Sequence, residues 1–294
     1  MVKNRYFEIL IFLSLGIVFF LVFIVYPVMF SAGLSFFDWS GYSRNPFENF
    51  IGFDNFMRMA GDSTFWVSLK NTFIFVSGLI LFQNFFGLLI AIFLFYGKLK
   101  GGAIWRSVFF FPAVLSPIII GLVWKRIFLA DGLLNTIILF FTQNYEPIHW
   151  LGNLSTPIFA VMFVTIWQYT GYNMILYFAG LQGISNELIE SAKIDGANWL
   201  QTVTKIVIPQ LYKVISLAVI LNIIGGFKVF DLIYTMTSGG PAHASEVLTS
   251  YIYFQSFSIT GTNRMGYASL MAMVLTIIVL IFSIIRIRIE KRIE

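Results

Sequence analysis

The sequence predicts an all-α integral membrane protein with six transmembrane helices. Two features of composition support this fold class: 58% of the 294 residues are hydrophobic and only 11% are charged, and the mean hydropathy is +0.84. Soluble domains carry about 25% charged residues. The third feature is that the apolar residues fall into blocks of about 20, the length that a helix needs to cross a bilayer.

The apolar blocks define the predicted spans in chain order. The first block is too long for the apolar region of a signal peptide, which runs to about 7–15 residues, so we expect it to remain as a helix. The fifth block is the weakest, because Gly225, Gly226, Lys228 and Asp231 interrupt it. The six predicted spans are 9–31, 71–96, 107–128, 157–179, 213–235 and 266–286.

The basic residues predict the orientation of these spans. With the N-terminus inside, cytoplasmic segments hold twelve of the nineteen Lys and Arg residues, in line with the excess of such residues on cytoplasmic loops. An even number of spans then places both termini in the cytoplasm. We expect three parts: a first helix and outer loop (1–65), a core (66–286) and a basic cytoplasmic tail (287–294). The twelve residues are Lys3, Arg5, Lys98, Lys100, Arg106, Lys193, Lys205, Lys213, Arg286, Arg288, Lys291 and Arg292.

A polar, amphipathic segment, ELIESAKIDGANWLQTVTKIVIPQL at 187–211, separates the fourth and fifth spans. We predict two short helices, 186–194 and 198–208, with Asn186 as the cap of the first. Gly196 lies at the reversal between them, where glycine tolerates a left-handed backbone. On the residues alone, a docking element for another protein and a solvated helix at the lipid surface are equally compatible. The apolar residues expected to lie against the membrane helices are Leu200, Val203, Val207 and Leu211.

The segment resembles the EAA loop of the membrane subunits of ATP-binding-cassette (ABC) importers. That pattern reads E-A-A-x-x-D-G-A, then x3-Q-x-F-x2-I-x-[LV]-P, and this chain departs from it with Ser191 for Ala, Val203 for Phe and Ile208 for Leu or Val. The resemblance implies that the segment docks an ATPase. By matching position, the coupling residues are Glu190, Ala192, Asp195, Gly196 and Ala197.

The resemblance extends over nearly the whole chain. Further matching stretches are FDNF at 53–56, SLKNT at 68–72, RSVFFFPAVLSPIIIGLVW at 106–124, WQYTGY at 167–172, AGLQ at 179–182 and TSGGP at 237–241. They are typical of the maltose/lactose/glycerol-3-phosphate type of binding-protein-dependent permease, in its first-permease branch. This family implies a MetI-like, type I fold with a five-helix core. It also implies three partners besides the lipid membrane: a second homologous permease, two copies of an ATP-binding subunit, and an extracytoplasmic solute-binding protein.

Polar residues inside spans are candidates for a solute pathway. In the fourth span, Thr165, Gln168, Tyr169 and Tyr172 are spaced to share one helix face. In the fifth, Asn222 offers an amide, and Gly225 and Gly226 would allow close approach. The family resemblance implies that these parts of the two spans are the ones that hold sugar, where a permease of this family binds it. Helix packing is the alternative for all of these residues, since small and amide side chains also join membrane helices.

Lys228 and Asp231 are three residues apart, so they could form an ion pair on one helix face or a gate contact. The two histidines, His149 and His243, lie in separate predicted outer loops without metal-ligand spacing. We therefore expect no metal site.

No catalytic constellation and no G-x4-G-K-[ST] phosphate loop is present, so we expect no enzymatic activity and no cofactor on this chain. ATP and Mg²⁺ would bind to the partner ATPase, and nucleic acid is not an expected partner. The predicted function is a permease subunit that imports a carbohydrate, most simply an oligosaccharide, across a bacterial or archaeal cytoplasmic membrane. The alternatives are an ion-coupled secondary transporter and a membrane scaffold or assembly subunit.

Overall fold

A computed structural model of the chain describes residues 12–97, 101–142, 146–257 and 263–290. Apart from one isolated bridge between Phe37 and Phe50, the regular structure of these described residues is helical. The helices are α1 (Phe12–Leu34), α2 (Asp54–Gly61), α3 (Ser63–Tyr96), α4 (Gly102–Val114), α5 (Pro117–Ile127), α6 (Leu133–Phe141), α7 (Pro157–Gln182), α8 (Asn186–Ile194), α9 (Trp199–Gln210), α10 (Tyr212–Phe227), α11 (Asp231–Met236), α12 (Leu248–Ser256) and α13 (Met265–Glu290).

The all-helical membrane fold is confirmed. By length and composition, α1, α3 and α13 can each cross a membrane, and the bent pairs α4–α5 and α9–α10 raise the number of candidate spans from three to five in the described part of the chain. Helix α7 coincides with the fourth predicted span but is not among these candidates. Its many polar residues lower its hydropathy. The count of six spans and the position of the termini remain predictions.

The third predicted span, 107–128, is not one straight helix. Helices α4 and α5 meet at an angle of 92°. Ser116 precedes Pro117 and has extended backbone angles, φ −58° and ψ 128°, because the proline ring disfavours a helical conformation of the residue before it. Pro117 then begins α5, at a position where a missing N–H costs nothing. The fifth predicted span, 213–235, is also divided, since α10 ends at Phe227 and α11 begins at Asp231.

The described residues pack as two compact units. The first unit comprises the chain up to Phe65 together with Tyr251–Ile277, and the second comprises Trp66–Ser250 and the residues from Ile278 onward.

The first unit is organised around two polar side chains, one buried and one partly buried. Asn55 is 1% exposed, and its Nδ2 donates to the carbonyl oxygens of Ser35 (2.9 Å) and Phe37. The Asp62 carboxylate accepts from the hydroxyls of Tyr267 (2.7 Å) and Tyr251. Asp62 also accepts from the amides of Thr64 and Phe65. It therefore connects the first turn of α3 to the side chains of Tyr251 and Tyr267.

In the second unit, two hydrophobic clusters form the core. The first cluster joins α3, α5, α7 and α11 through residues such as Phe75, Ile120, Val161 and Ile233. The second cluster joins the end of α3 and α7 to α9 and α10. Helices α4 and α7 come into backbone contact at Gly171, where an added Cβ would lie 1.9 Å from the carbonyl oxygen of Phe109. Small residues allow such close packing between membrane helices.

Candidate functional site

A cavity of about 390 Å³ opens within the second unit, between α3, α7, α10 and the breaks before α5 and α11. Its wall combines aromatic rings, amides, a hydroxyl and two opposite charges. The lining residues are Leu79, Gln83, Pro117, Thr165, Tyr169, Tyr172, Leu221, Asn222, Gly225, Lys228, Val229, Phe230, Asp231 and Leu232.

Helix geometry brings the polar lining together. Thr165, Tyr169 and Tyr172 follow one another at intervals of four and three residues on α7, so they share a face. Tyr172 is 47% exposed, whereas the Asn222 amide from α10 is 5% exposed. Asn222 accepts from the Gln83 amide at 3.2 Å. The cavity therefore presents aromatic faces beside a floor of amide groups.

Seven of the nine residues predicted for the solute pathway or gate line this cavity. They are Thr165, Tyr169, Tyr172, Asn222, Gly225, Lys228 and Asp231.

The other two, Gln168 and Gly226, do not line it. Gln168 is fully buried, and its Nε2 donates at 3.2 Å to the carbonyl oxygen of Leu115, at the bend between α4 and α5. Gly226 is also buried, and an added Cβ would lie 2.9 Å from a methyl group of Val76 on α3.

Lys228 and Asp231 lie on opposite sides of the break between α10 and α11 and therefore do not share one helix face. Within the residues that the structure describes, the ion pairs are Arg126–Asp131, His243–Glu246 and Arg286–Glu290, so Lys228 and Asp231 are not joined. Both are exposed in the cavity wall. The gate interpretation remains a prediction.

Two residues of the cavity wall, Gln83 and Pro117, were not predicted from the sequence. Gln83 is 4% exposed and ends a π-helical turn within α3, Leu79–Gln83. Such wide turns occur often at functional sites. The signal was present in the sequence, since Gln83 and Asn84 are adjacent amides inside a predicted span, where polar residues are candidates by default.

The 187–211 segment forms the two predicted helices, α8 and α9. The cap of α8 differs by one residue from the prediction. Ser185, not Asn186, accepts from the amide of Glu187 with its side chain, at 3.2 Å. Ser185 has the extended backbone that a capping residue needs, while Asn186 is already the first helical residue. At the start of α9, Asn198 and Gln201 exchange side-chain and backbone hydrogen bonds, both 2.9 Å.

Gly196 adopts the predicted left-handed conformation, with φ +81°. Nothing lies within 4 Å of a Cβ added there, so the backbone angle alone favours glycine. Of the other predicted coupling residues, Glu190 and Asp195 are exposed, Ala197 is partly exposed, and Ala192 is buried.

One face of α9 packs in the core and the other remains open. Val203, Val207 and Leu211 lie in the second cluster, as predicted. Leu200 does not, because it is 62% exposed. Together with Ile194 (85% exposed) and Trp199 (58% exposed), it forms an apolar surface beside the turn at Gly196. Pro209 lies in the last turn of α9, and α10 departs from it at 69°.

Comparison with known proteins identifies close relatives over almost the entire chain. The chain is 36% identical over 275 residues to the probable ABC transporter permease protein YurN of Bacillus subtilis, and the aligned region covers 92% of each protein. It is 32% identical over 283 residues to the multiple sugar-binding transport system permease protein MsmF of Streptococcus mutans, with 96% and 95% covered. It is also 32% identical to the lactose transport system permease protein LacF of Rhizobium radiobacter, over 96% of this chain and 94% of that protein.

The fold is that of a solved transporter chain. The crystal structure of a bacterial alginate ABC transporter, in complex with an alginate pentasaccharide-bound periplasmic protein, matches 99% of this chain and 96% of its own with a TM-score of 0.81. At 21% identity, this likeness concerns the fold alone. The model of the family described as "binding-protein-dependent transport system inner membrane component" matches residues 74–294. This chain therefore belongs to the family of binding-protein-dependent transport system inner membrane components.

Proposed function

We propose that this chain is a permease subunit of an ATP-driven importer that moves a carbohydrate, most simply an oligosaccharide, into the cytoplasm. The observation that carries the proposal is the cavity, where five residues predicted for a solute pathway come together with the two predicted for a gate. The names of relatives support the choice of solute, since they include permease proteins for lactose, for arabinooligosaccharides and for diacetylchitobiose.

The lining suits a sugar chemically. Sugar rings have apolar C–H faces, which stack on aromatic rings such as those of Tyr169, Tyr172 and Phe230. Their hydroxyls need paired donors and acceptors, because an unpaired polar group in a buried site costs about 1–3 kcal/mol. Gln83, Asn222 and Thr165 supply amide and hydroxyl partners on the cavity wall.

In this proposal the 187–211 segment transmits the energy of ATP. Its exposed apolar surface of Ile194, Trp199 and Leu200 would enter a cleft on an ATPase, with Glu190 and Asp195 facing basic groups. ATP and Mg²⁺ would be bound by two copies of that partner, and this chain would itself be non-catalytic. A second, homologous permease would complete the pathway, and a solute-binding protein would deliver the sugar on the outer face.

Transport would follow from unequal affinities of these partners for two conformations. A loaded binding protein outside and a closed ATPase inside would favour the outward-facing state, and ATP hydrolysis would return the complex to the inward-facing state. Ligands shift such an equilibrium only by the difference between their affinities for the two states.

The test is uptake by the complete complex in proteoliposomes, with lactose, arabinotriose and diacetylchitobiose as solutes and the matching binding protein outside. We expect ATP-dependent accumulation of at least one sugar that persists when ionophores remove proton and sodium gradients. Uptake that follows an ion gradient without ATP would identify a secondary transporter. Transport of none of these sugars, but of another solute class, would contradict the carbohydrate assignment.

A further inference from the structure

Beneath the cavity, five buried polar side chains form a continuous hydrogen-bonded cluster across three helices. Gln83 and Asn84 come from α3, Asn173 and Tyr177 from α7, and Asn222 from α10. None is more than 9% exposed. Polar residues inside membrane spans are candidates for a functional role. We refer to these five residues as the amide cluster.

The Gln83 amide has more acceptors than it can serve. Its Nε2 lies 3.2 Å from Asn222 Oδ1, 3.4 Å from Asn173 Oδ1 and 3.4 Å from the carbonyl oxygen of Tyr169. An amide nitrogen carries only two hydrogens, so one of the three acceptors always depends on another donor. Asn222 lines the cavity, which makes its Oδ1 the acceptor that a solute hydroxyl could take over.

From Asn173 the hydrogen bonds continue toward the 187–211 segment. Asn84 Oδ1 accepts from Asn173 Nδ2 at 3.3 Å and from the Tyr177 hydroxyl at 2.6 Å. The Tyr177 ring is fully buried in the second cluster, the same cluster that contains Val203 and Val207 of α9. One end of this path is therefore the cavity wall, and the other is the packed face of α9.

The path also includes a π-helical turn of α3, Leu79–Gln83. The wide turn Leu79–Gln83 leaves backbone carbonyls for side chains to satisfy. Asn222 Nδ2 donates to the carbonyl oxygen of Leu79 at 3.4 Å, and Asn84 Nδ2 donates to that of Ile80 at 2.8 Å. The side chains that hold this turn are thus the same ones that connect the cavity to Tyr177.

We propose that Asn84 and Tyr177 are positioning residues that link the state of the cavity to the placement of the 187–211 segment. When a solute hydroxyl bonds to Asn222, Gln83 turns to Asn173 and Tyr169. The new hydrogen bond to Asn173 changes the bond that Asn173 donates to Asn84 Oδ1. Because the Tyr177 hydroxyl donates to the same oxygen, the Tyr177 ring shifts, and α9 moves with it. The proposal rests on the proposed function, because it assumes that an ATPase binds the 187–211 segment.

Coupling between two sites acts equally in both directions, so the cavity should respond to the ATPase even without solute. The chain contains no cysteine, and a side chain at Gly225 would project into open space at the cavity wall. The assembled complex carrying Gly225→Cys is therefore reacted with a maleimide in proteoliposomes, first nucleotide-free and then trapped with ATP and vanadate. We expect the labelling rate to differ between the two states by about two- to tenfold, the range that one hydrogen bond produces.

Tyr177→Phe removes only the hydroxyl and should reduce this difference by half or more at equal assembled protein. The matched control is Tyr96→Phe, at the end of the same helix as Asn84. The Tyr96 hydroxyl is buried without a hydrogen-bond partner in the described part of the chain, so its removal should leave the difference unchanged. Asn84→Leu should act like Tyr177→Phe, and the double variant should lose no more than Asn84→Leu alone, as residues in one path are not additive.

Equal labelling differences in the parent and Tyr177→Phe complexes would overturn the proposal, as would the absence of any difference in the parent. A purely structural role would instead lower the yield of the Tyr177→Phe and Asn84→Leu complexes and leave the ratio of the two labelling rates intact. Failure of the proposed function is a separate outcome. It would appear as no ATP-driven uptake of any sugar by the parent complex with Gly225 unchanged, even if the labelling difference is present in the Gly225→Cys complex.

Discussion

Two residues one helical turn apart on α7, Gln168 and Tyr172, show how surroundings decide the role of a polar side chain in a membrane helix. Both were predicted to face a solute. Gln168 instead donates to the Leu115 carbonyl oxygen, which the bend between α4 and α5 leaves without a helical partner. Tyr172 lies in the cavity wall and is 47% exposed. The same intramembrane polarity therefore stabilises a bend in one case and lines a cavity in the other.

We expect Gln168→Leu and Tyr172→Ala to separate these roles. Loss of the Gln168 donor removes the hydrogen bond to the Leu115 carbonyl oxygen, which contributes about 0.5–1.5 kcal/mol, so the yield of folded protein should fall while the ranking of transported sugars stays the same. Tyr172→Ala should change the rate or ranking of sugar-stimulated ATP hydrolysis at equal assembled protein. Ile166→Ala is the control, because Ile166 packs against the first cluster and does not line the cavity. A change of sugar preference in Gln168→Leu would contradict this assignment.

Asp62 provides a prediction about pH. Burial raises the pKa of its carboxyl, but hydrogen bonds from Tyr251, Tyr267 and the amides of Phe65 and Thr64 outweigh burial, so the pKa lies below its ordinary value of 3.8. Because the pKa is lower in the folded state, the ionised Asp62 carboxylate stabilises the folded protein above pH 3.8. This stabilisation is lost as the pH falls through the folded-state pKa.

In Asp62→Asn the capping oxygen can remain, but Nδ2 cannot accept from the two tyrosine hydroxyls. Thermal unfolding in detergent should show this variant to be less stable than the parent at about pH 7, with the difference in stability closing below about pH 4. Asp54→Asn, in the first turn of α2, is the matched control and should keep the parent's acid profile. A gap for Asp62→Asn that stays constant across the pH range would show that the charge of Asp62 is not involved.

At the level of elements, the 187–211 segment depends on a turn that only a few residues tolerate. Gly196 has φ +81°, a conformation that costs other L-residues about 1–2 kcal/mol. Asparagine tolerates it best among them. Proline is excluded, since its ring fixes φ near −65° and it would also remove the bond from the Gly196 amide to the Lys193 carbonyl oxygen.

We therefore expect ATPase retention and uptake to decline in the order Gly196→Asn, Gly196→Ala, Gly196→Pro. Copurification of the ATPase with each purified variant, followed by uptake, measures the series. Gly183→Ala is a suitable control, because Gly183 ends α7 with an ordinary φ of −82°. A graded series supports a docking role for the turn. Normal ATPase stoichiometry and uptake in Gly196→Pro would exclude it.

The elements show what sequence patterns could and could not predict. The two helices of the 187–211 segment, the conformation of Gly196 and the face of α9 at Val203 and Val207 followed from local spacing and are confirmed. The 92° bend between α4 and α5 was missed, although Pro117 marks it, because hydropathy over a window of 20 residues averages across such a break. Gln83 was missed because its role depends on Asn173 and Asn222, which are distant in sequence.

For the whole molecule, the prediction that remains to be tested is orientation in the membrane. The distribution of Lys and Arg predicts that the 187–211 segment and the end of α13 face the cytoplasm, while the loop after α1 faces outward. The docking role requires the same orientation, because an ATPase has access to ATP only on the inner side. An orientation opposite to this one would therefore contradict the topology and the proposed function together.

Single cysteines introduced into this cysteine-free chain test the orientation directly. Tyr42 is 71% exposed and Ile194 is 85% exposed, and Arg288 is exposed near the end of α13. In sealed spheroplasts, we expect a membrane-impermeant maleimide to label Tyr42→Cys and to leave Ile194→Cys and Arg288→Cys unlabelled until the membrane is opened. Arg288→Cys serves as the control for protection by a bound ATPase at Ile194. Labelling of Arg288→Cys in sealed cells would reverse the predicted orientation of α13, because an impermeant maleimide reaches that end of the helix only if it lies outside.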